Sequence, residues 1–301
     1  MTVETIPPGT AGVAKARPEE PPATTPRRRT SPRTVLSQVL LTAVLVLFMM
    51  PFVWMIASAL KPPAEVFGSG AGLIGSEIRW SNFAEAWSYL PFGQFMLNGL
   101  FVAVTGTVVV CVTSVLSAYA FARLRFRFRD RLFLVFLATL MVPQEVTVVP
   151  MFILMQQFGW VDSYAALILP WAFTAFGTFL LRQFFLSIPN ELEEAATIDG
   201  AGKLRILLQV IVPIAKPAIA VLAAFTFINY WNSFLWPLIV VNSREMSTVP
   251  LGLNLFLSQN GNQWHLLMAA SAISMLPTVL MVVLLQRHLV RGIAMSGLGG
   301  R

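Results

Sequence analysis

Long apolar blocks separated by shorter polar ones set the pattern of this chain. Six nearly unbroken apolar stretches stand at about 35–59, 96–122, 132–155, 164–185, 217–241 and 264–287. A helix of about 20 apolar residues crosses ~30 Å of hydrocarbon, so the pattern predicts an all-α membrane protein of six transmembrane helices. Composition supports this. With 56% hydrophobic residues and a mean hydropathy of +0.71, the 301 residues carry too little polar surface to coat a soluble globule.

The polar blocks set orientation, because Lys and Arg are retained on the cytoplasmic side during insertion. With the N-terminus inside, cytoplasmic segments hold 18 of the 21 Lys and Arg, and only Lys61, Arg79 and Arg244 fall outside. Both termini are therefore expected in the cytoplasm, together with the "RLRFRFRDR" loop at 123–131 and a charged insert at 190–217. The net charge of +7 reflects topogenic arginines and not a nucleic-acid site.

Residues 1–34, rich in Pro, Thr and Arg, cannot bury enough apolar surface to fold and are expected to form a disordered basic tail. The "RRRTSPR" end of this tail, with the apolar stretch and Ala57-Ser58-Ala59 beyond, imitates a secretory signal. A signal's apolar region is about 7–15 residues, however, and this one exceeds twenty. Cys111 is the single cysteine, so the chain has neither an internal disulfide nor a Cys-based metal site, and His265 and His288 stand isolated. No repeat of fixed period is evident.

Enzymatic motifs are missing. Gly202-Lys203 is followed by Leu204 and lacks the upstream glycine and the hydroxyl of a phosphate-binding loop. G-x-S-x-G, H-E-x-x-H and closely spaced carboxylates within a span are also absent. No cofactor is expected in the chain, and any energy for its function comes from a partner or an ion gradient.

The insert reads as two short helices. Pro189 breaks the preceding segment, Asn190 is placed as an N-cap, and Glu193 stands where a capping box would reach back. Glu191, Glu193 and Glu194 fall in the first turn, favoured by the helix dipole. Gly200 closes the helix after Asp199, a second helix covers about 202–212 up to Pro213, and Lys216-Pro217 opens the next span. Ala195, Ala196, Gly200, Ala201 and Gly202 let another surface approach the backbone closely. Pattern alone leaves two readings open: a helix that docks on a protein, or an interfacial helix with Leu192, Ile198, Leu204, Leu207 and Leu208 in the headgroups.

Glu194-Ala195-Ala196, then Gly200, then Val210-Ile211-Val212-Pro213 resembles the EAA loop of permease subunits of bacterial ATP-binding-cassette importers. Val replaces the usual Ile and Leu of the ending while the spacing is kept. Arg182-Gln183-Phe184-Phe185, Asp199-Gly200-Ala201, Trp231-Asn232 and Leu235-Trp236-Pro237 are similar to the carbohydrate-uptake subfamily, on its maltose-permease second-subunit side. So are "SAYAFARLRF" at 117–126, "DSYAALILP" at 162–170 and "QRHLVRG" at 286–292. The similarity covers about 35–292.

The resemblance implies a type I importer permease fold in the bacterial inner membrane, with a coupling loop at about 186–216 seated on a separate ATPase. Glu194 would meet a basic side chain there and Gly200 would permit the turn. Implied partners are a second, different permease subunit, two ATPase subunits that hold ATP and Mg, an extracytoplasmic solute-binding protein and membrane lipid. A sugar is the implied solute, with glycerol-3-phosphate or another polyol-type solute as the alternative. The ending at 293–301 resembles the subfamily's only as far as Gly297.

Polar residues within spans are the candidates for a solute path: Gln144, Glu145 and Thr147; Thr174 and Thr178; Asn229, Tyr230, Asn232 and Ser233 with Trp231. An interhelical hydrogen bond, worth ~0.6–2 kcal/mol, is the plainer reading of each singly, and Trp236 reads equally as an interfacial anchor. Glu145 between Pro143 and Pro150 also suggests an ion-coupled secondary transporter. Outer loops at 60–95 and 242–263 are expected to receive the binding protein, and Asn82 with Glu85 resembles a capped short helix.

Overall fold

The computed structural model describes residues 32–68, 72–258 and 261–298, with side chains for 33–68, 72–257 and 261–286. Of the expected tail at 1–34, residues 1–31 lie outside the described residues and Pro32–Thr34 instead begin a helix; the side chain of His288 and the side chains of the C-terminal ending also lie outside them. Two compact units divide the chain, 1–50 and 51–301, and α1 (Pro32–Ala59) runs through the boundary.

After α1 come α2 (Ser81–Tyr89), α3 (Phe92–Arg123), α4 (Arg129–Ala138), α5 (Gln144–Gln157), α6 (Tyr164–Ile168) and α7 (Ala175–Leu186). The insert supplies α8 (Glu191–Ile198), α9 (Lys203–Ile206), a π-helical turn at Leu207–Ile211 and α10 (Val212–Ile214). The chain continues through α11 (Lys216–Trp231), α12 (Leu235–Val240), α13 (Val249–Asn254), the hairpin β1 (Leu257–Ser258) and β2 (Gly261–Asn262), and α14 (Trp264–Leu298). α14 continues past residue 287, where the expected span ends, and past 292, after which a C-terminal tail was expected.

Helices long and apolar enough to cross a membrane are Arg33–Ala59, Phe92–Arg123 and Trp264–Gln286. The other expected spans are broken. Arg129–Met141 and Gln144–Gln157 meet at 100°, Tyr164–Trp171 and Ala175–Leu186 at 47°, and Lys203–Ile214 and Lys216–Trp231 at 80°. Proline explains the first break: it disfavours the helical region for the residue before it, and Val142 is extended at φ −84°, ψ 115° ahead of Pro143. The expected span at 217–241 ends early, α11 stopping at Trp231 and α12 restarting at Leu235.

In lipid an apolar side chain gains little by leaving hydrocarbon for protein, so close packing and interhelical hydrogen bonds hold the helices. The long α3 packs against α7 and α11. Thr113 Oγ1 of α3 donates to Ala172 O at 2.6 Å, and the Ser117 and Thr178 hydroxyls lie 2.7 Å apart. Between these, the bare Cα of Gly177 faces the side chain of Ser114 with no room for a Cβ. Tyr230 OH of α11 donates to Ile168 O at 2.9 Å and Trp231 Nε1 to Ser274 O of α14 at 3.1 Å.

Candidate functional site

The start of α8 differs from the capping box its sequence suggests. Asn190 is helical, at φ −68° and ψ −27°, and its side chain caps nothing. Instead Asn190 Oδ1 accepts from Arg123 Nη1, at the end of α3. Glu193, buried, turns the same way: its Oε1 lies 2.9 Å from Arg123 Nε, with the two side chains 11% and 8% exposed. Tyr119 OH donates to Glu193 Oε2 at 3.3 Å. Arg123 Nη2 donates to the carbonyls of Phe185 and Ile188. The guanidinium thus joins the end of α3, the end of α7 and the first turn of α8. Removing one member of a buried ion pair typically costs ~3–5 kcal/mol, because the other charge is left unpaired in a poorly solvated site.

The opposite face of α8 is open. Glu191, Glu194 and Ala195 are exposed, and Ile198 is 87% exposed. Closure comes through Asp199 N to Ala195 O, Gly200 N to Thr197 O and Ala201 N to Ala196 O, at 2.9–3.1 Å. Gly200 has φ +79°, the left-handed conformation that costs a side-chain-bearing residue ~1–2 kcal/mol. Beyond it Leu204 and Leu208 are exposed, whereas Leu207, expected in the headgroups, is buried with Ile206 and Ile211 against Leu181 and Phe185. Leu207 and Ile211, four residues apart, share one face of the π turn, and that face packs on Leu181 and Phe185 of α7. Pro213 is exposed on α10, just before the 80° bend.

The polar candidates within the spans divide. A cavity of about 650 Å³ is lined by Gln144, Thr147, Thr174, Asn229 and Tyr230, together with Thr139, Trp171 and Thr226 and a set of apolar residues including Val110, Phe173 and Phe225. Glu145 is exposed on the first turn of α5 and does not line it. Thr178 and Trp231 are spent on interhelical hydrogen bonds. Asn232 is exposed and Ser233 half-buried, neither in the lining. Trp236 is not an interfacial anchor: it is buried, edge-on to Trp171 with centroids 6.0 Å apart, and its Nε1 donates to Ala166 O at 2.8 Å. Trp171, which the sequence did not single out, has a buried Nε1 without a hydrogen-bond partner among the described residues. Its position beside Pro170, between the two bent halves of one apolar block, was the available signal.

Near the other ends of the helices, polar side chains fasten the connecting segments. Asn82 does not cap α2; buried, its Nδ2 donates to Ala59 O and Lys61 O at 2.8 and 2.9 Å. Asn98 Nδ2 donates to Glu245 O at 2.6 Å and Ser247 O at 3.0 Å, while its Oδ1 accepts from Tyr164 OH at 2.7 Å. Asp162, in the left-handed region at φ +61°, joins the turn before α6 to the segment after α12. Its Oδ1 accepts from the Asn242 and Ser243 amides and the Ser243 hydroxyl at 2.9–3.1 Å. Burial pushes this carboxyl up, but the Ser243 and Asn242 donors outweigh it and hold the group below its ordinary value. Among the described residues no group of three or more His, Cys, Asp or Glu is placed to hold a metal ion.

Broken apolar spans around a mainly apolar cavity with Gln, Thr and Asn side chains in its wall, with a charged helix fastened to them, are the build of a membrane transport subunit. A family model described as the inner membrane component of binding-protein-dependent transport systems matches residues 111–295. The chain belongs to this family, whose members are transport subunits and not enzymes. The sn-glycerol-3-phosphate transport system permease protein UgpE of Yersinia pestis bv. Antiqua (strain Antiqua) is 36% identical over 266 residues, 86% of this chain and 94% of the relative. A bacterial ABC transporter involved in the import of the acidic polysaccharide alginate shares the fold, with a TM-score of 0.75 and 24% identity over 85% of this chain and 95% of that one. A bacterial alginate ABC transporter in complex with an alginate pentasaccharide-bound periplasmic protein aligns at a TM-score of 0.57 and 14% identity, covering 83% and 92%.

Proposed function

We propose that this chain is the second-type permease subunit of an ATP-driven importer, moving a sugar or a polyol-type solute such as sn-glycerol-3-phosphate across the bacterial plasma membrane. In this reading each bent helix pair is one span, giving six, and both termini are cytoplasmic. The chain pairs with a second, different permease subunit and with two ATPase subunits, which hold ATP and Mg. Solute arrives on an extracytoplasmic binding protein that docks on the outer loops at 60–95 and 242–263.

The observation that carries the reading is α8, held against α3 by one face while Glu194, Ala195 and Ile198 stand exposed on the other. That exposed face is the ATPase contact, with Glu194 toward a basic side chain and the Asp199-Gly200 turn allowing the helix to seat. ATP binding draws the ATPases together, α8 follows, and the spans joined to it turn as rigid bodies, exchanging an outward for an inward opening. The solute class rests on the relatives, named for sn-glycerol-3-phosphate and alginate, and on a cavity whose Thr, Asn and Gln side chains suit hydroxyl groups.

Glu194→Lys and Gly200→Val test this in the co-expressed complex. Each is expected to lower ATPase recovered with the permease about tenfold, a loss of ~1.4 kcal/mol, with membrane insertion unchanged. Full recovery and normal uptake in both variants would contradict the assignment.

A further inference from the structure

We propose that Arg123 and Glu193 are positioning residues for transport: through them the start of α8 moves as one body with α3 and α7, carrying motion from the ATPase contact to the cavity. This rests on the importer reading above and goes beyond it in naming the connection.

Three observations support the connection. The Arg123 guanidinium reaches all three helices, through Glu193 and Asn190 at α8 and through the Phe185 and Ile188 carbonyls at the end of α7. A planar, always charged group with a fixed fork of donors suits such a junction, and Lys cannot reproduce it. Farther along, α3 and α7 are fastened to each other by Thr113 to Ala172 O, by Ser117 with Thr178, and by the contact of Gly177 with Ser114. At the far end of this pair, Val110 of α3 and Ala175 and Phe176 of α7 line the 650 Å³ cavity, with Thr174 just before α7. Close packing makes such an assembly bistable instead of continuously deformable, so a shift imposed at Glu193 is delivered at the cavity wall. Glu193 has little surface to offer a partner protein, unlike Glu194 beside it, which divides the two carboxylates into one that transmits and one that docks.

The test uses the complete complex with its ATPases and binding protein, reconstituted in proteoliposomes. Glu193→Gln and Arg123→Lys are expected to retain the ATPase and hydrolyse ATP within about twofold of the parent, while solute delivered per ATP falls about tenfold or more. The double exchange Arg123→Glu with Glu193→Arg is expected to recover part of that ratio. An unchanged ratio in the single variants would overturn the proposal. So would loss of the ATPase from their complexes, because the pair would then be a docking prop. A complex of the parent chain that neither holds an ATPase nor uses ATP would instead sink the importer reading itself.

A second measurement leaves the pair intact. With the free Cys111 replaced by Ser, spin labels at Leu116→Cys on α3 and Leu192→Cys on α8, away from the ATPase-facing side, are expected to keep their separation within about 2 Å between nucleotide-free and ATP-bound states. A change of about 5 Å, one helical turn, would show that α8 slides independently of α3 and overturn the proposal.

Discussion

Gly106 of α3 lies flush against the ring of Tyr230 on α11, so that a Cβ added to the glycine would stand 2.6 Å from two ring carbons. The same Tyr230 donates to Ile168 O at 2.9 Å and lines the cavity. A helix contact, a hydrogen bond and a cavity wall therefore depend on one missing methyl group. Gly106→Ala is expected to destabilise the protein by ~1–3 kcal/mol through overpacking, read as a lower melting temperature in detergent. Tyr230→Phe, which loses only the hydroxyl, is expected to cost ~1 kcal/mol. Equal stability of Gly106→Ala and the parent would mean the helices are free to separate there.

Asn98 fills all its roles at once, donating to Glu245 O and Ser247 O and accepting from the Tyr164 hydroxyl. Asn98→Leu keeps the approximate volume and strands Ser247 O and the Tyr164 hydroxyl, while Gln94 Nε2 still donates to Glu245 O at 2.9 Å; each stranded group costs ~1–3 kcal/mol when buried without a partner. A melting-temperature loss larger than that of Tyr230→Phe is expected. A loss no larger would show that water satisfies those groups.

The Asp162 clamp makes a pH prediction. A carboxyl whose folded-state pKa is depressed contributes stability that is complete above its unfolded value, about 3.9, and is lost as pH falls through the folded value. Asp162→Asn keeps a residue that tolerates the left-handed backbone but removes the charge. It is expected to melt below the parent at pH 7 and to converge with it as pH falls below about 4. A gap that persisted undiminished at low pH would mean that shape, and not charge, holds the segment.

What the sequence disclosed and what it hid follow from how far each signal travels along the chain. Apolar blocks and the Gly200 turn are local properties, and both reappear in the structure at the expected places. Pro143 marks one break within those blocks, though not its angle, whereas Pro150, expected to break the helix as well, lies inside α5. Glu193 was misread because its spacing from Asn190 is that of a capping box, while the competing partner, Arg123, stands 70 residues away and pairs with it only after α3, α7 and α8 pack. Trp231 and Trp236 satisfy the same aromatic-and-amide pattern as a sugar site, yet their indole nitrogens are committed to Ser274 O and Ala166 O. Trp171 carried no local mark beyond a neighbouring proline. Side chains are identified by sequence; their partners are chosen by packing.

For the cavity, Asn229 and Thr174 are two lining residues whose side chains make no hydrogen bond to another helix among the described residues, and they face the same 650 Å³ space. Asn229→Ala and Thr174→Val are expected to lower uptake several-fold, by ~0.5–1.5 kcal/mol for each lost hydrogen bond, with ATPase recovery unchanged. Glu145→Gln is expected to leave uptake within about twofold, since Glu145 is outside the lining. A collapse of uptake in Glu145→Gln alone would move the path to the outer face of α5.

The central claim is that an ATPase outside this chain drives solute through it. Uptake of radiolabelled solute into proteoliposomes containing the complete complex tests it most directly, with ATP enclosed and the binding protein added outside. Uptake that requires both and is indifferent to a protonophore is the result predicted. Uptake that proceeds without ATP and collapses with the protonophore would contradict it.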